Sequence, residues 1–471
     1  MTTTQTHPSN EPEGMVDDTL TADQVAARAL PAAGGLTYRP GRWIDGWDPE
    51  NPEQWGSVGR PIARRNLTLS IFAEFLGFAV WALWSIVVPQ LNGVGFNLSI
   101  NEMFWLVSTP ALVGATLRLP YTFAVPRFGG RNWTVVSALL LLLPAGALAW
   151  AVNHPELPFM ALMGIAALAG FGGGNFASSM ANISFFFPAK EKGAALGLNA
   201  AGGNLGTAAV QLAVPIVITI GAGVSLDRAG LMFIPLALLA AVLAWRGMDN
   251  LSNAKSDPRA YAAALRNPHT WILSFIYIGT FGSFIGYSAT FPTLLKNLFP
   301  AVTLSLAFMG ALVGSVSRPF GGFLADRVGG ALVTCASFVA MAVGAVGAII
   351  GLRLESFAIF FISFLWLFVF TGIGNGSVYR MIPAVFAGTV RDNSTGSLMA
   401  AGRAAAGCIG IAGAIGAFGG FLIPQGFALS RTLTGDLQAA LWAMVGAYLL
   451  MLGVTWFTYL RRGSRMAALK V

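Results

Sequence analysis

The chain has 471 residues, 55% of them hydrophobic and 10% charged, with a mean hydropathy of +0.67; soluble domains carry about 25% charged residues. That composition excludes a soluble globular protein and identifies an integral membrane protein whose surroundings are the lipid bilayer. A net charge of +8 in such a chain is an expression of membrane topology, and no nucleic acid is expected among its partners.

Residues 1–66 are polar, proline-rich and weakly patterned, without the apolar core and cleavage site of a secretory signal. They are expected to form a cytoplasmic tail, most of it disordered or loosely attached. Twelve apolar stretches follow, at 67–88, 103–124, 132–151, 159–182, 194–219, 228–246, 269–291, 302–323, 331–352, 357–378, 397–420 and 437–460. Each is long enough to cross the hydrocarbon core as a helix at about 1.5 Å per residue. Helices are the only choice, because open sheets and irregular loops facing lipid would leave backbone groups unpaired.

An even number of crossings puts both termini on one side. With that side cytoplasmic, the inner segments carry Arg60, Arg64, Arg65, Arg127, Arg131, Lys190, Lys192, Arg246, Lys255, Arg259, Arg266, Arg327, Arg391, Arg461, Arg462, Arg465 and Lys470. The outer loops carry Arg228, Lys296, Arg353 and Arg431. This is the positive-inside pattern, expected of a multi-pass protein of the cell (inner) membrane with cytoplasmic termini. Cys335 and Cys408 fall inside apolar spans and read as small core residues. The histidines, His7, His154 and His269, are scattered, so no metal site and no cofactor is expected.

The longest polar inner segment, around the central cytoplasmic loop at 247–268, separates six spans at 67–246 from six at 269–460; residues 461–471 are a C-terminal tail. The halves repeat. "RLPYTFAVPRFGGR" from Arg118 aligns with "RPFGGFLADRVGGA" from Arg318, 200 positions on. "AGFGGGNF" (Ala169 to Phe176) aligns with "TGIGNGSV" (Thr371 to Val378), and "NAAGGN" (Asn199 to Asn204) with "MAAGRA" (Met399 to Ala404). Two like-oriented halves of six helices predict an all-α fold with a pseudo-twofold axis along the membrane normal, the major facilitator arrangement. The Asp326-Arg327-x-Gly329-Gly330 loop resembles that superfamily's recurrent loop motif, with Pro126 where the first copy would have the acid.

Arg118 and Arg318 are equivalent positions in these halves, each on the order of 9 Å from the inner end of its span. An arginine costs roughly 2.5–3.5 kcal/mol at a helix centre on insertion scales and keeps its proton. Snorkelling to the interface is one explanation. Paired symmetry, with no acid in either span, favours another: both face a central cavity and hold an anion between them. The guanidinium fork suits a planar oxyanion such as nitrate or nitrite, or a carboxylate. Glu74, about two turns into the first span, reads either as an interfacial structural carboxylate or as a proton-carrying site. Arg380 and Arg403 read as snorkelling or loop-paired. The glycine runs "GFGGGNFASSM" and "GIGNGS" lack the setting of phosphate loops and read as close helix packing. Asn175, Asn204 and Asn375 are polar groups able to orient a substrate.

The segments "AGFGGGNFASSMANISFFFP" (Ala169 to Pro188), "GIGNGSVYRMIP" (Gly372 to Pro383) and "YIGTFGSFIGYSA" (Tyr277 to Ala289), with the paired arginines, closely resemble the nitrate/nitrite porter family of the major facilitator superfamily. "WDPENPEQWGSVGRPIARRNL" (Trp47 to Leu67) resembles that family's lead into the first span, so the likeness covers nearly everything from Trp47 onward. It implies that Arg118 and Arg318 bind the substrate oxygens, that Phe176, Tyr277 and Phe281 sandwich the planar anion, and that Asn204 lies near the site. The chain departs from the family's pattern at Arg380 and Glu74, two differences that bear on ion coupling.

The expected function is transport of nitrate and nitrite by alternating access, through nitrate/nitrite exchange or through symport of nitrate with protons. Repulsion between unpaired arginines argues for exchange, since the empty carrier could not reorient; a titratable Glu74 argues for symport. The rival readings are a carrier of small carboxylates and a non-transporting anion sensor. An enzyme is least supported, because no nucleophile and base, metal cluster or cofactor motif is visible.

Overall fold

The computed structural model describes residues 31–32, 35–221, 223–255, 257–390, 394–468 and 471. Arg391, Lys470 and the first thirty residues of the tail, all invoked above, lie outside the described residues. The rest is a bundle of long helices: α1 (Arg60–Val87), α2 (Ile100–Phe128), α3 (Gly130–Ala151), α4 (Phe159–Phe186), α5 (Ala189–Val217), α6 (Asp227–Gly247), α7 (Pro268–Leu298), α8 (Phe308–Val328), α9 (Gly330–Arg353), α10 (Phe357–Thr389), α11 (Gly396–Thr434) and α12 (Gln438–Leu460). Among the described residues, ten helices are long and apolar enough to cross a membrane unaided. The two of these twelve that fall short are α2 and α8, the pair that carries Arg118 and Arg318.

Several helices overrun the apolar stretches that announce them. α1 begins at Arg60 rather than 67, and α10 continues to Thr389 rather than ending near 378. Hydropathy marks the part of a helix that meets lipid and is blind to polar turns beyond it. The start of α2 is a capping box, in which Ser99 Oγ accepts the Glu102 N–H at 3.2 Å and Glu102 Oε2 accepts the Ser99 N–H at 2.8 Å. α2 and α8 end at Gly129 (φ 88°) and Gly329 (φ 96°), where positive φ favours glycine. The repeated Gly-Gly motif is thus a repeated helix stop.

Within the first half α1 packs on α5 and α2 on α4; α7 on α11 and α8 on α10 are their counterparts in the second. The halves meet through α2 against α11 and α5 against α8, with the outer part of α7 lying on α1. Glycines permit the closest of these approaches. A Cβ on Gly172 would lie 2.1 Å from the Gly77 carbonyl oxygen, and one on Gly206 2.1 Å from that of Phe75. At both places α1 touches its neighbour backbone to backbone, the packing role expected of small residues.

The face that carries the C-terminus and the described start of the chain holds the clearest departure from expectation. From Leu36 onward the tail is folded, not disordered or loosely attached. Strands β1 (Pro31–Ala32), β2 (Leu36–Arg39) and β3 (Trp43–Asp45) form an antiparallel run, and β3 pairs in parallel with β4 (Asn250–Leu251) of the central loop. Trp47 and Trp55 are buried, and Trp47 Nε1 donates to Phe185 O at 3.2 Å. The buried Asp249 carboxylate accepts from Arg42 at 2.7 Å, from Arg65 at 2.5 Å and from Asn66 Nδ2 at 2.8 Å. Average composition hides such a fold, because two tryptophans and one fully satisfied carboxylate supply its anchors.

Replacing Asp249 by alanine is expected to cost about 2 kcal/mol, the order of a lost charge-assisted hydrogen-bond set. The figure stays below that of a fully buried pair because Arg42 and Arg65 both reach water. Limited proteolysis checks it: the variant should be cut between residues 35 and 60 under conditions that spare the unsubstituted chain.

Candidate functional site

Arg118 is 1% exposed and Arg318 5%. On α2, Arg118 donates from Nε to Gly173 O of α4 at 3.2 Å and from Nη1 to Gly413 O of α11 at 2.6 Å. One guanidinium therefore ties the first half to the second through a backbone carbonyl. Its Nη2 has no partner among the described residues. The guanidinium carbon lies 4.4 Å from the centroid of the Phe176 ring, 5.1 Å from Phe281 and 5.6 Å from Trp81, so aromatic faces replace much of the lost hydration. Arg318 stands 5.5 Å from the Tyr379 ring, and its Nη1 is likewise without a partner.

The rings are ordered. Phe176 of α4 and Phe281 of α7 face each other across the halves at 6.1 Å, 25° from parallel. Tyr277 stacks on Phe281 at 5.2 Å and 19°. Between Tyr277 and Ser283 the helix widens into a π turn, Ile278–Gly282, with the Ser283 N–H bonded to Ile278 O. Such turns concentrate at functional positions because they reset the direction of side chains. Room for the rings comes from α11, where a Cβ on Gly416 would fall 2.6 Å from Tyr277 Cδ1 and 3.4 Å from Phe281. Tyr277 also lies in electrostatic range of both guanidinium groups; its hydroxyl makes no well-formed hydrogen bond, although Arg318 stands within weak reach.

Glu74 changes the charge balance. It is 1% exposed, and both arginines lie in electrostatic range of its carboxyl group. Neither carboxylate oxygen makes a well-formed hydrogen bond, although Ser179 stands within weak reach. Gly203 makes the space, since a Cβ there would fall 2.6 Å from Glu74 Cγ. The arginines, expected from the sequence to have no acid near them, thus share their surroundings with one. The acid comes not from α2 or α8 but from α1, which no sequence spacing joins to them.

The asparagines separate. Asn175 turns onto its own helix, accepting at Oδ1 from Ser178 Oγ at 3.0 Å. Asn204 and Asn375 are buried with Oδ1 atoms lacking partners. Arg380 pairs with Asp326, and Arg403 with Asp257 at 3.6 Å, on exposed surface of the terminal face. Trp81, Tyr379 and Gly413 escaped the sequence reading. Tyr379 carried a signal, being inside the second glycine-rich signature; Gly413 contributes a carbonyl, which no residue type announces.

On the face away from the termini the halves are latched together. Asn101 Nδ2 donates to Thr432 Oγ1 at 2.7 Å, Gln425 Nε2 to Ser108 Oγ at 2.8 Å, and Gln211 Nε2 to Ser288 O at 2.7 Å. Between this latch and the arginines lies a void of about 20 Å³ lined by Trp81, Ser85, Thr207, Ile285 and Ser288, room for about one water. The arrangement suits a small planar anion: two unpaired N–H-bearing nitrogens, one from each half, with near-parallel aromatic faces beside that of Arg118. Among the described residues no group of His, Cys, Asp and Glu could hold a metal ion.

Comparison with known proteins agrees with this architecture. Residues 69–414 match the model of the Major Facilitator Superfamily. The chain is 41% identical over 447 residues to the nitrate/nitrite transporter NarU of Salmonella typhimurium, covering 89% of this chain and 96% of that one. It is 35% identical over 456 residues to the probable nitrate/nitrite antiporter NarK2 of Thermus thermophilus, covering 91% and 99%. Among solved structures, the xylose transporter XylE from E. coli superposes with a TM-score of 0.64 at 14% identity, over 84% of this chain and 99% of that one, a likeness of fold alone. The chain belongs to the nitrate/nitrite porter family of the major facilitator superfamily.

Proposed function

We propose that this protein carries nitrate and nitrite across the membrane by alternating access, the anion being held between Arg118 and Arg318 as the two halves rock about the site. The observation that carries the reading is the pair of unpaired guanidinium nitrogens, one from each half, that of Arg118 beside Phe176 and Phe281 and that of Arg318 in range of Tyr277. Phe176, Phe281 and Tyr277 flank the planar anion, and Asn204 and Asn375 orient it from the sides. The basic residues of the terminal face set that face in the cytoplasm of the cell (inner) membrane.

Glu74 couples transport to protons in this reading. With its carboxylate ionised, the three formal charges of the empty site sum to one positive charge. With the carboxyl protonated and the anion bound, the sum is the same. Empty and loaded carriers then cross the membrane field with equal charge, whereas moving nitrate alone into a negative cell costs roughly 2.3 kcal/mol per 100 mV. Glu74 also relieves the repulsion that would otherwise bar the empty carrier from reorienting. Exchange is the second reading, favoured by the antiporter name of the Thermus relative.

Purified protein in liposomes separates the two. External acid should drive nitrate into vesicles that contain no nitrite, and Glu74→Gln should lose that uptake more than about tenfold relative to its own nitrate/nitrite exchange rate. Uptake only into nitrite-loaded vesicles, indifferent to pH, would establish exchange. No nitrate uptake in either case, with acetate transported instead, would establish the carboxylate carrier.

A further inference from the structure

We infer that the Glu74 carboxyl has two stations, and that Ser179, Ser70 and Asn199 build the one that receives it when protonated; this rests on the proton role proposed above. The three residues come from α4, α1 and α5, all within the first half. Ser70 Oγ and Ser179 Oγ are 2.9 Å apart, and Asn199 Nδ2 donates to Ser179 Oγ at 2.6 Å. Asn199 Oδ1 has no partner. Ser70 is 1% exposed, Ser179 5% and Asn199 0%. The neighbouring Ser178 hydroxyl does what buried helix serines commonly do and bonds its own helix, at Asn175 O, 2.9 Å away. Ser179 instead joins three helices beside an acid.

The groups around Glu74 divide into donors and acceptors. Arg118 on α2 and Arg318 on α8 each offer an unpaired nitrogen bearing N–H. From α4 comes Ser179, from α5 Gly203, and from α10 the Tyr379 ring and hydroxyl, which share its electrostatic range. An ionised carboxylate only accepts hydrogen bonds, so its station is toward the guanidinium groups; a protonated carboxyl has one O–H to donate and needs an acceptor. Ser179 Oγ can accept it while donating its own hydroxyl in the hydrogen bond to Ser70 Oγ, and Asn199 Oδ1 is a spare acceptor in the same cluster.

An entering anion takes the guanidinium N–H groups that the ionised carboxylate would use. Displaced and shut away from water, the carboxylate is costly unless it gains a proton. The proton comes from water at the open face, forms an O–H bond on Glu74, and returns to water at the opposite face once the anion has left; no other bond changes. Anion and proton are thus coupled by competition for the same two donors, with the serine-asparagine cluster holding the neutral form.

The test is the pH profile of acid-driven nitrate uptake in liposomes, scaled to nitrate/nitrite exchange by the same protein. Ser179→Ala should move the half-maximal pH downward by about half a unit or more, the displacement that one lost hydrogen bond to the neutral form produces. Ser179→Thr, which keeps the hydroxyl, should restore it. Should Ser179→Ala fail to exchange at all, Ser70→Ala, which removes the second hydroxyl without touching Glu74, reads the same shift. Superposable profiles for these variants, with Glu74→Gln having lost acid drive, would overturn the second station and leave the proton role standing. Acid-driven uptake surviving in Glu74→Gln would overturn both.

Discussion

Lysine in place of Arg118 should reduce nitrate uptake about a hundredfold or more. The charge survives the substitution, so the loss isolates geometry. Arg118 holds Gly173 O and Gly413 O with two nitrogens and still presents a third. An ammonium gathers its three donors on one nitrogen and cannot reach the two carbonyls and the anion from the separate, planar positions that the guanidinium nitrogens occupy beside Phe176 and Phe281. Hydrogen bonds to charged groups contribute roughly 1.5–3 kcal/mol each, and two of them exceed a factor of one hundred. Nitrate binding by titration calorimetry and uptake in liposomes should fall together. Uptake within threefold of the unsubstituted chain would show that the guanidinium does not hold the substrate. Arg318→Lys, whose native side chain bonds fewer fixed carbonyls, should lose less.

The second large effect belongs to a glycine. A Cβ on Gly376 would sit 2.0 Å from the carbonyl oxygen of Arg318 and 2.8 Å from the Gly322 nitrogen. Gly376→Ala must therefore drive α10 away from α8 at Arg318, one of the two arginines proposed to hold the anion. Overpacking of this kind costs about 1–3 kcal/mol, and the contact here is backbone on backbone, with no flexible side chain to yield. A lower thermal midpoint in detergent and weaker nitrate binding are expected together. Gly322→Ala is the control, since its Cβ would lie 3.8 Å from the Gly376 oxygen, an ordinary contact. Equal stability of the two variants would mean that the helices separate without strain.

Both predictions concern residues that the sequence singled out, yet neither magnitude could be read from it. Arg118 and Arg318 stand out because charge is rare in apolar stretches and because they recur at one offset. Gly376 stands out as part of a glycine run. That Arg118 spends two donors on carbonyls of two different helices, and that Gly376 touches the backbone of Arg318, are facts of helix placement. The tail shows the opposite error, since a polar, proline-rich and weakly patterned composition suggested disorder where Trp47, Trp55 and Asp249 anchor a small sheet.

By itself the sequence determined the membrane class, the helical class, the internal duplication and the paired arginines, because each follows from local hydropathy or from self-similarity along the chain. Tertiary structure alone decided that Glu74 shares its surroundings with both arginines, that Gly413 lends a carbonyl across the halves, that Asn175 accepts from Ser178 of its own helix, and that Trp81 and Tyr379 line the guanidinium groups. These depend on which helices become neighbours and how far each is rotated about its axis. A periodic pattern says that a helix has a buried face; only packing says what that face meets.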